Sequence, residues 1–335
     1  MLLRLLRSRK PVRHKVIRAI RFCSLRGSGA RLRSPEAKIN SSTKSDADAA
    51  WPAGASPIGP ESLAWRLGLD RRALLVAGRA LLTQVMHPVI SAAVEDFSSF
   101  RTDPWGRLDR TVTSLVTQVF GGPAAVAEGR RLREVHRSIR GVGPHGSRYS
   151  ALSAEPYAWT HLSNFDAALV MHDLFGNGLT PEQQRRLYGE WRQIGTTLGI
   201  PDRNLPADLD AFHYYVDEMT RLRLEHTRTS SDLLRMLALD DVPPPPSLPL
   251  ARLLWPLARP LGRFMLRETT IGTLPPTARE KLGLQWSADR ERRLRQFAAV
   301  VRATAPLVPE RVRDYPMAYR AKQAARRYQA LQRHG

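Results

Sequence analysis

A single cysteine, Cys23, is all the thiol chemistry available in 335 residues. That excludes an internal disulfide framework, a cysteine-rich zinc site and an iron–sulfur cluster built by this chain alone. No apolar run reaches the roughly 18–20 residues needed to cross a bilayer, and arginines interrupt the leucine-rich opening too early for a secretory apolar core. These absences point to a cytoplasmic protein that can touch a membrane. There is no HExxH, no GxSxG and no paired Glu-x-x-His, so zinc-protease, serine-hydrolase and di-iron-bundle chemistries lack their signatures. Two glycine pairs, Gly121-Gly122-Pro123 and Gly141-Val142-Gly143-Pro144, lack the preceding strand and the spacing that a nucleotide site needs.

What is abundant is positive charge. The formal net charge is +21 and the isoelectric point is near 11.2. A basic surface attracts nucleic acid and anionic membranes alike. The distribution argues against a specific nucleic-acid partner, because twelve Lys/Arg fall within the first 38 residues. In the body, arginines are interleaved with Glu and Asp over helical runs, the pattern of solvated helix faces. Residues 1–30 alternate basic and apolar positions. They read either as an amphipathic helix making peripheral contact with an anionic membrane or as a disordered basic extension.

With 42% hydrophobic residues, the chain can bury a core without staples. Periodicity predicts helices over residues 61–68, 71–95, 106–120, 123–139, 155–174, 181–197, 206–227, 250–266, 277–283, 287–305 and 316–332. Asp103-Pro104 and Thr180-Pro181-Glu182 carry the cap-then-proline signature of helix starts. Period-two runs bounded by turns are essentially missing, so the fold class is all-α. The proline-rich stretch 240–249 reads as a rigid connector between a larger helical body and a C-terminal helical section. The division is a basic extension at 1–55, a helical domain at 56–316 and a helical tail at 317–335.

Nine histidines are the richest chemical resource. His136 sits in RRLREVHRSIR, residues 130–140, on a predicted helix. An imidazole there can bind haem iron through one nitrogen while the other donates to a carbonyl or carboxylate. By itself, a helical histidine is more often a surface residue or a satisfied buried one, so the run leaves both readings open. Pro88 removes a backbone donor and kinks the chain, and His87 before it reads as a buried histidine bonded to the freed carbonyls. His161, His172 and His213 read as packing or surface residues, with a role as hydrogen-bond donors behind a ligand as the alternative, and Asp70, Glu95 and Glu128 read as surface charges. Arg107 and Thr111 are one helical turn apart and share a face. A guanidinium beside a hydroxyl suits an anionic haem propionate or a polar oxygen species, although a surface pair has the same spacing.

Ordered motifs extend over most of the chain. They begin with His87-Pro88, Asp103-Pro104-x-Gly106-Arg107-x-x-Arg110-Thr111, Phe120-Gly121 and His136-x-x-Ile139-Arg140-Gly141. Tyr149-Ser150-Ala151, Glu155-Pro156, Trp159-Thr160-His161, Glu190-Trp191, Gly199-Ile200-Pro201, Leu205-Pro206, Leu274-Pro275 and Pro306-Leu307-Val308-Pro309-Glu310 follow. From about residue 56 to about 316 the run resembles the MpaB / rubber-oxygenase (latex clearing protein) catalytic domain. The resemblance implies an all-helical fold enclosing haem b, with His136 matching the proximal iron ligand and Arg107 and Thr111 matching the pair beside the haem. It implies a haem-dependent oxygenase using dioxygen on an apolar, isoprenoid or lipid-like, small molecule. Where rubber oxygenases place a lysine, this chain has Arg110, a poor iron ligand because it stays protonated. Haem binding survives that departure better than rubber cleavage does. Two other classes stay open: a haem-binding sensor or carrier without turnover, and a cofactor-free helical scaffold recruited by its basic tail.

Overall fold

The computed structural model describes residues 55–143, 146–246 and 251–334. The basic stretch on which the membrane reading rests, residues 1–30, lies outside them. Helix follows helix: α1 (Leu63–Leu67), α2 (Leu74–Val85), α3 (Pro88–Phe97), α4 (Pro104–Phe120) and α5 (Pro123–Arg137). A hairpin of β1 (Arg140–Val142) and β2 (Arg148–Ser150) leads into α6 (Ala154–Phe175), α7 (Pro181–Thr197), α8 (Leu209–Glu218) and α9 (Arg228–Leu237). After the proline connector come α10 (Ala251–Arg263), α11 (Thr269–Thr273), α12 (Pro276–Lys281), α13 (Ala288–Thr304), α14 (Glu310–Arg313) and α15 (Pro316–His334). The fold is mainly α-helical, as composition and periodicity predict. The hairpin is the exception, and three-residue strands are too short to show alternation. Among the described residues no single helix is long and apolar enough to cross a membrane.

Helix starts follow local chemistry. Thr180 accepts from the Gln183 amide while Gln183 reaches back to the Thr180 amide, and Pro181 fills the first helical position where its missing N–H costs nothing. Asp103 accepts from the Gly106 amide at 3.0 Å ahead of Pro104. The helix predicted over 71–95 is two helices, bent by 102° at His87-Pro88, where the proline is expected to kink the chain. Proline forces the residue before it toward extended backbone, and His87 has φ −78° and ψ 123°. Its Nδ1 then accepts the Val89 amide at 3.2 Å, so His87 caps α3 rather than serving freed carbonyls. The helix predicted over 206–227 closes at Glu218 with a wide π turn, Met219–Arg223. Lys281 Nζ donates to the carbonyls of Thr220, Arg221 and Leu224 at 2.7–2.9 Å, satisfying acceptors that a helix end leaves open.

α6 is the axis of the core. Trp159, Leu162, Phe165, Met171 and Phe175, which are nearly fully buried, point to several sides of it, as expected of a helix surrounded by others. α2 lies along it, locked by a mostly buried ion pair in which Arg79 donates to both Asp166 oxygens at 2.7 and 2.9 Å. Trp159 Nε1 donates to the Thr83 carbonyl across the same seam. Phe165, Tyr188, Trp191 and Phe212 form an aromatic cluster between α6, α7 and α8. The helices beyond the connector do not form a separate section. α11 packs on α2 and α13 on α6, because Ile271, Leu294 and Ala298 bury their side chains in the same core. α15 packs on α4 with Ala318 fully buried.

Candidate functional site

α4 and α5 are consecutive helices joined at Gly121-Gly122, and they pack along one another. The turn needs φ +52° at Gly122, a conformation open to glycine. α5 carries His136 in its last turn. The His136 Nδ1 lies 2.6 Å from the Leu132 carbonyl oxygen, and since a carbonyl only accepts, Nδ1 carries the proton. The Nε2 lone pair has no hydrogen-bond donor among the described residues. The Tyr157 ring stands edge-on to the imidazole at 5.8 Å, and the Tyr157 hydroxyl donates to the Leu198 carbonyl at 3.1 Å. Burial holds the His136 pKa below the ordinary histidine value. The Leu132 bond opposes this, while the charges of Arg107 and Arg131 add to it. The result is a half-buried neutral imidazole with a fixed tautomer and one available nitrogen.

Arg107 and Thr111 come together. The Arg107 guanidinium donates to Thr111 Oγ1 at 2.6 Å, and that hydroxyl donates to the Arg107 carbonyl at 2.9 Å. Burial, then the neighbouring charge of Arg110, lowers the Arg107 pKa, yet its side chain keeps exposed surface. Arg107 stays charged at any working pH. Arg110, at the lysine position of the rubber-cleaving branch, turns away toward Asp103 at 3.2 Å and Ser99 at 3.0 Å.

An apolar cavity of about 110 Å³ lies among α2, α4, α6 and α7. Leu81, Leu115, Val119, Ala168 and Ile194 are typical of its wall, and Thr111 is one of few polar groups there. Arg107 and His136 do not line it. Thr111 is therefore the link, bonded to Arg107 and exposed to the cavity. The lining suits apolar groups, while the volume is below the roughly 300–1,000 Å³ of sites that enclose a drug-sized ligand. His172 and Asn164 are further polar wall residues that sequence reasoning did not select. Burial and the charge of Arg72 push His172 down to about 4, and its ring has no hydrogen bond among the described residues.

The remaining candidates have structural work. His87 Nε2 faces Glu155 at 3.1 Å while Nδ1 accepts the Val89 amide, so both nitrogens are committed. His161 is fully enclosed, donates to the Trp191 carbonyl at 2.9 Å and stacks on the Trp191 ring. His213 is exposed. Asp70 is buried rather than a surface charge, accepting from the Arg72 amide and guanidinium. Glu95 binds Arg101, and Asp96 accepts the Tyr149 hydroxyl at 2.6 Å. Tyr157 was invisible in the sequence because nothing in its spacing ties it to His136. Among the described residues no three His, Cys, Asp or Glu side chains gather as a metal site.

The chain is 26% identical over 234 residues to uncharacterized protein Rv2237 of Mycobacterium tuberculosis, covering 68% of this chain and 84% of the relative. Uncharacterized protein Mb2261 of Mycobacterium bovis matches with the same identity and coverage. No solved structure matches the chain. Residues 65–303 match the profile described as ER-bound oxygenase mpaB/B'/Rubber oxygenase, catalytic domain, and over that span the chain belongs to this oxygenase family.

Proposed function

We propose that this chain is a haem b-dependent oxygenase acting with dioxygen on an apolar, isoprenoid or lipid-like, small molecule. The observation that carries the reading is His136: its Nδ1 proton is held by Leu132 and its Nε2 is left as a neutral donor beside the cation of Arg107. The residues present fit a haem. An axial histidine needs one nitrogen free and the other hydrogen-bonded, and a haem's carboxylates need a nearby guanidinium. Bound there, haem supplies the activation of dioxygen, a chemistry that no side chain of this chain offers.

The other tasks belong to the chain itself. His136 would hold the iron through Nε2, and the Leu132 carbonyl fixes the ring and its tautomer. Arg107 orients a propionate or polarises an oxygen atom, with Thr111 holding the guanidinium in place at 2.6 Å. The apolar cavity reached at Thr111 takes an apolar part of the substrate. Arg110 is engaged with Asp103 and Ser99, so this chain lacks the lysine that closes the distal side in the rubber-cleaving branch.

The visible spectrum of the chain expressed with haem supply, recorded beside His136→Ala, tests the reading. A Soret band in the parent that is lost or shifted in the folded variant is the expected result. A well-folded parent that stays colourless overturns it. A coloured parent that consumes no oxygen and forms no carbonyl product with isoprenoid substrates would instead be a haem-binding sensor or carrier.

A further inference from the structure

A buried polar side chain normally finds a hydrogen-bond partner, because an unpaired one has given up its bonds to water and gained none. Three polar residues in the wall of the apolar cavity are more than nine-tenths buried: Gln118, Trp191 and His172. Gln118 donates its amide to Ser114 Oγ at 3.3 Å, and the Trp191 indole donates to the His161 carbonyl at 3.2 Å. His172 is 8% exposed, and neither of its ring nitrogens has a hydrogen bond among the described residues. Neither nitrogen is sealed in protein either, so the ring borders space that a ligand can enter.

His172 stands in the last turn of α6, where that helix meets the turn Arg71–Ala73. The charges that act on the ring belong to Arg72 and Asp70. They are spent on each other and on the backbone, since Arg72 donates to Asp70 at 2.7 Å and to the Phe175 carbonyl at 3.0 Å. Neither lines the cavity, and among the described residues no Lys, Arg, Asp or Glu does. A carboxylate or phosphate entering it would leave water without meeting a counter-ion, a costly exchange. An uncharged oxygen is matched instead. Burial keeps the imidazole neutral at working pH, with one N–H and one lone pair. A hydroxyl both donates and accepts, so it can pair with whichever nitrogen it meets.

We propose that His172 anchors an uncharged oxygen, a hydroxyl or a carbonyl, at the end of an otherwise apolar ligand whose carbon chain enters the cavity. About 110 Å³ takes the head and a short length of chain. Ala73, Ala77 and Ala168 supply small side chains to this wall, and Thr111 borders the same space. The inference deepens the function proposed above, and it rests on that reading only in taking the ligand to be the substrate.

The test titrates the full chain, without added haem, with hexanol, hexane and hexanoate by calorimetry, beside His172→Leu and His172→Gln. Hexanol is expected to bind and hexanoate is not. The His172 ring nitrogens, followed by NMR on histidine-labelled parent protein, should shift more with hexanol than with hexane. His172→Leu should lower the affinity for hexanol relative to hexane about three- to tenfold, the worth of one hydrogen bond, and His172→Gln should restore part of that ratio. An unchanged ratio in His172→Leu, hexanoate bound as tightly as hexanol, or a parent that binds no hexanol overturns the proposal. So does a parent whose ring nitrogens respond equally to hexanol and hexane, a result that needs no variant to fold. Because haem is absent throughout, a colourless chain in the Soret test leaves this result standing, and failure here leaves the Soret test standing.

Discussion

His136 Nδ1 and the Leu132 carbonyl oxygen, one helical turn apart, are 2.6 Å from each other, and this one bond decides which imidazole nitrogen is available. Burial is the first cause of the lowered His136 pKa, and the Arg107 cation acts in the same direction. Removing that cation must therefore move the titration upward. In the haem-free chain, Arg107→Gln is expected to raise the His136 pKa toward 6.5 without changing the tautomer. Histidine NMR across pH 4–8 reads both. An unchanged or lower pKa would mean that Arg107 does not face the imidazole, and its proposed place at the haem would fall with it.

Acid stability follows from two other histidines. Burial pushes His161 and His172 down to about 4 from an unfolded value near 6.5. As pH falls from 6.5 toward 4, the unfolded chain takes up these protons and the native chain does not. Stability is therefore full above about 6.5 and declines through that window, by about 1.4 kcal/mol per pH unit for each histidine. Urea midpoints at pH 7, 6 and 5 should fall in that order. His161→Phe, which keeps the stack on Trp191, should flatten the slope by about one proton. An equal slope in the variant would show that His161 titrates normally.

The Arg79–Asp166 pair joins α2 to α6 with side chains only 8% and 14% exposed. Arg79→Met leaves a buried carboxylate without its cation, which costs about 3–5 kcal/mol. Arg79→Met with Asp166→Leu removes both charges and should recover much of that loss. Urea unfolding of the three chains gives the comparison. A single variant within 1 kcal/mol of the parent would show that water, not burial, governs this pair.

Most of the helices were legible in the sequence because each rests on local signals. Thr180-Pro181 and Asp103-Pro104 state their own helix starts, and α7 lies where periodicity placed it. What was not legible depends on distant partners. The π turn after α8 exists because Lys281, some sixty residues later, supplies donors for its carbonyls. α9 starts Arg-Thr-Ser-Ser, a poor helix former; its Thr227–Ser230 capping box is local, but what holds it is the burial of Leu233 and Leu237 against other helices. At the candidate site, the Arg107–Thr111 pair could be read from spacing alone, since i and i+4 must meet. Tyr157 against His136, and His172 on the cavity wall, could not, because both arise from how α6 lies against other helices.

The position of His136 depends on a glycine two turns earlier. A Cβ on Gly129 would sit 1.8 Å from the Thr197 carbonyl oxygen and 3.2 Å from the Leu198 Cα, and both obstacles are backbone. One turn on, Arg133 donates to the Gly199 carbonyl at 3.3 Å, and Tyr157 donates to that of Leu198. The end of α7 is thus the surface against which both α5 and Tyr157 are set. Gly129→Ala must lift α5 from it, a strain of about 1–3 kcal/mol. Gly189, inside α7, has open space around it, and Gly189→Ala should be neutral or stabilising by up to about 1 kcal/mol. Urea midpoints separate the two variants. If haem binds through His136, Gly129→Ala should also weaken haem retention where Gly189→Ala does not. If both variants lose stability equally, the close approach of α5 to α7 is not what holds this helix.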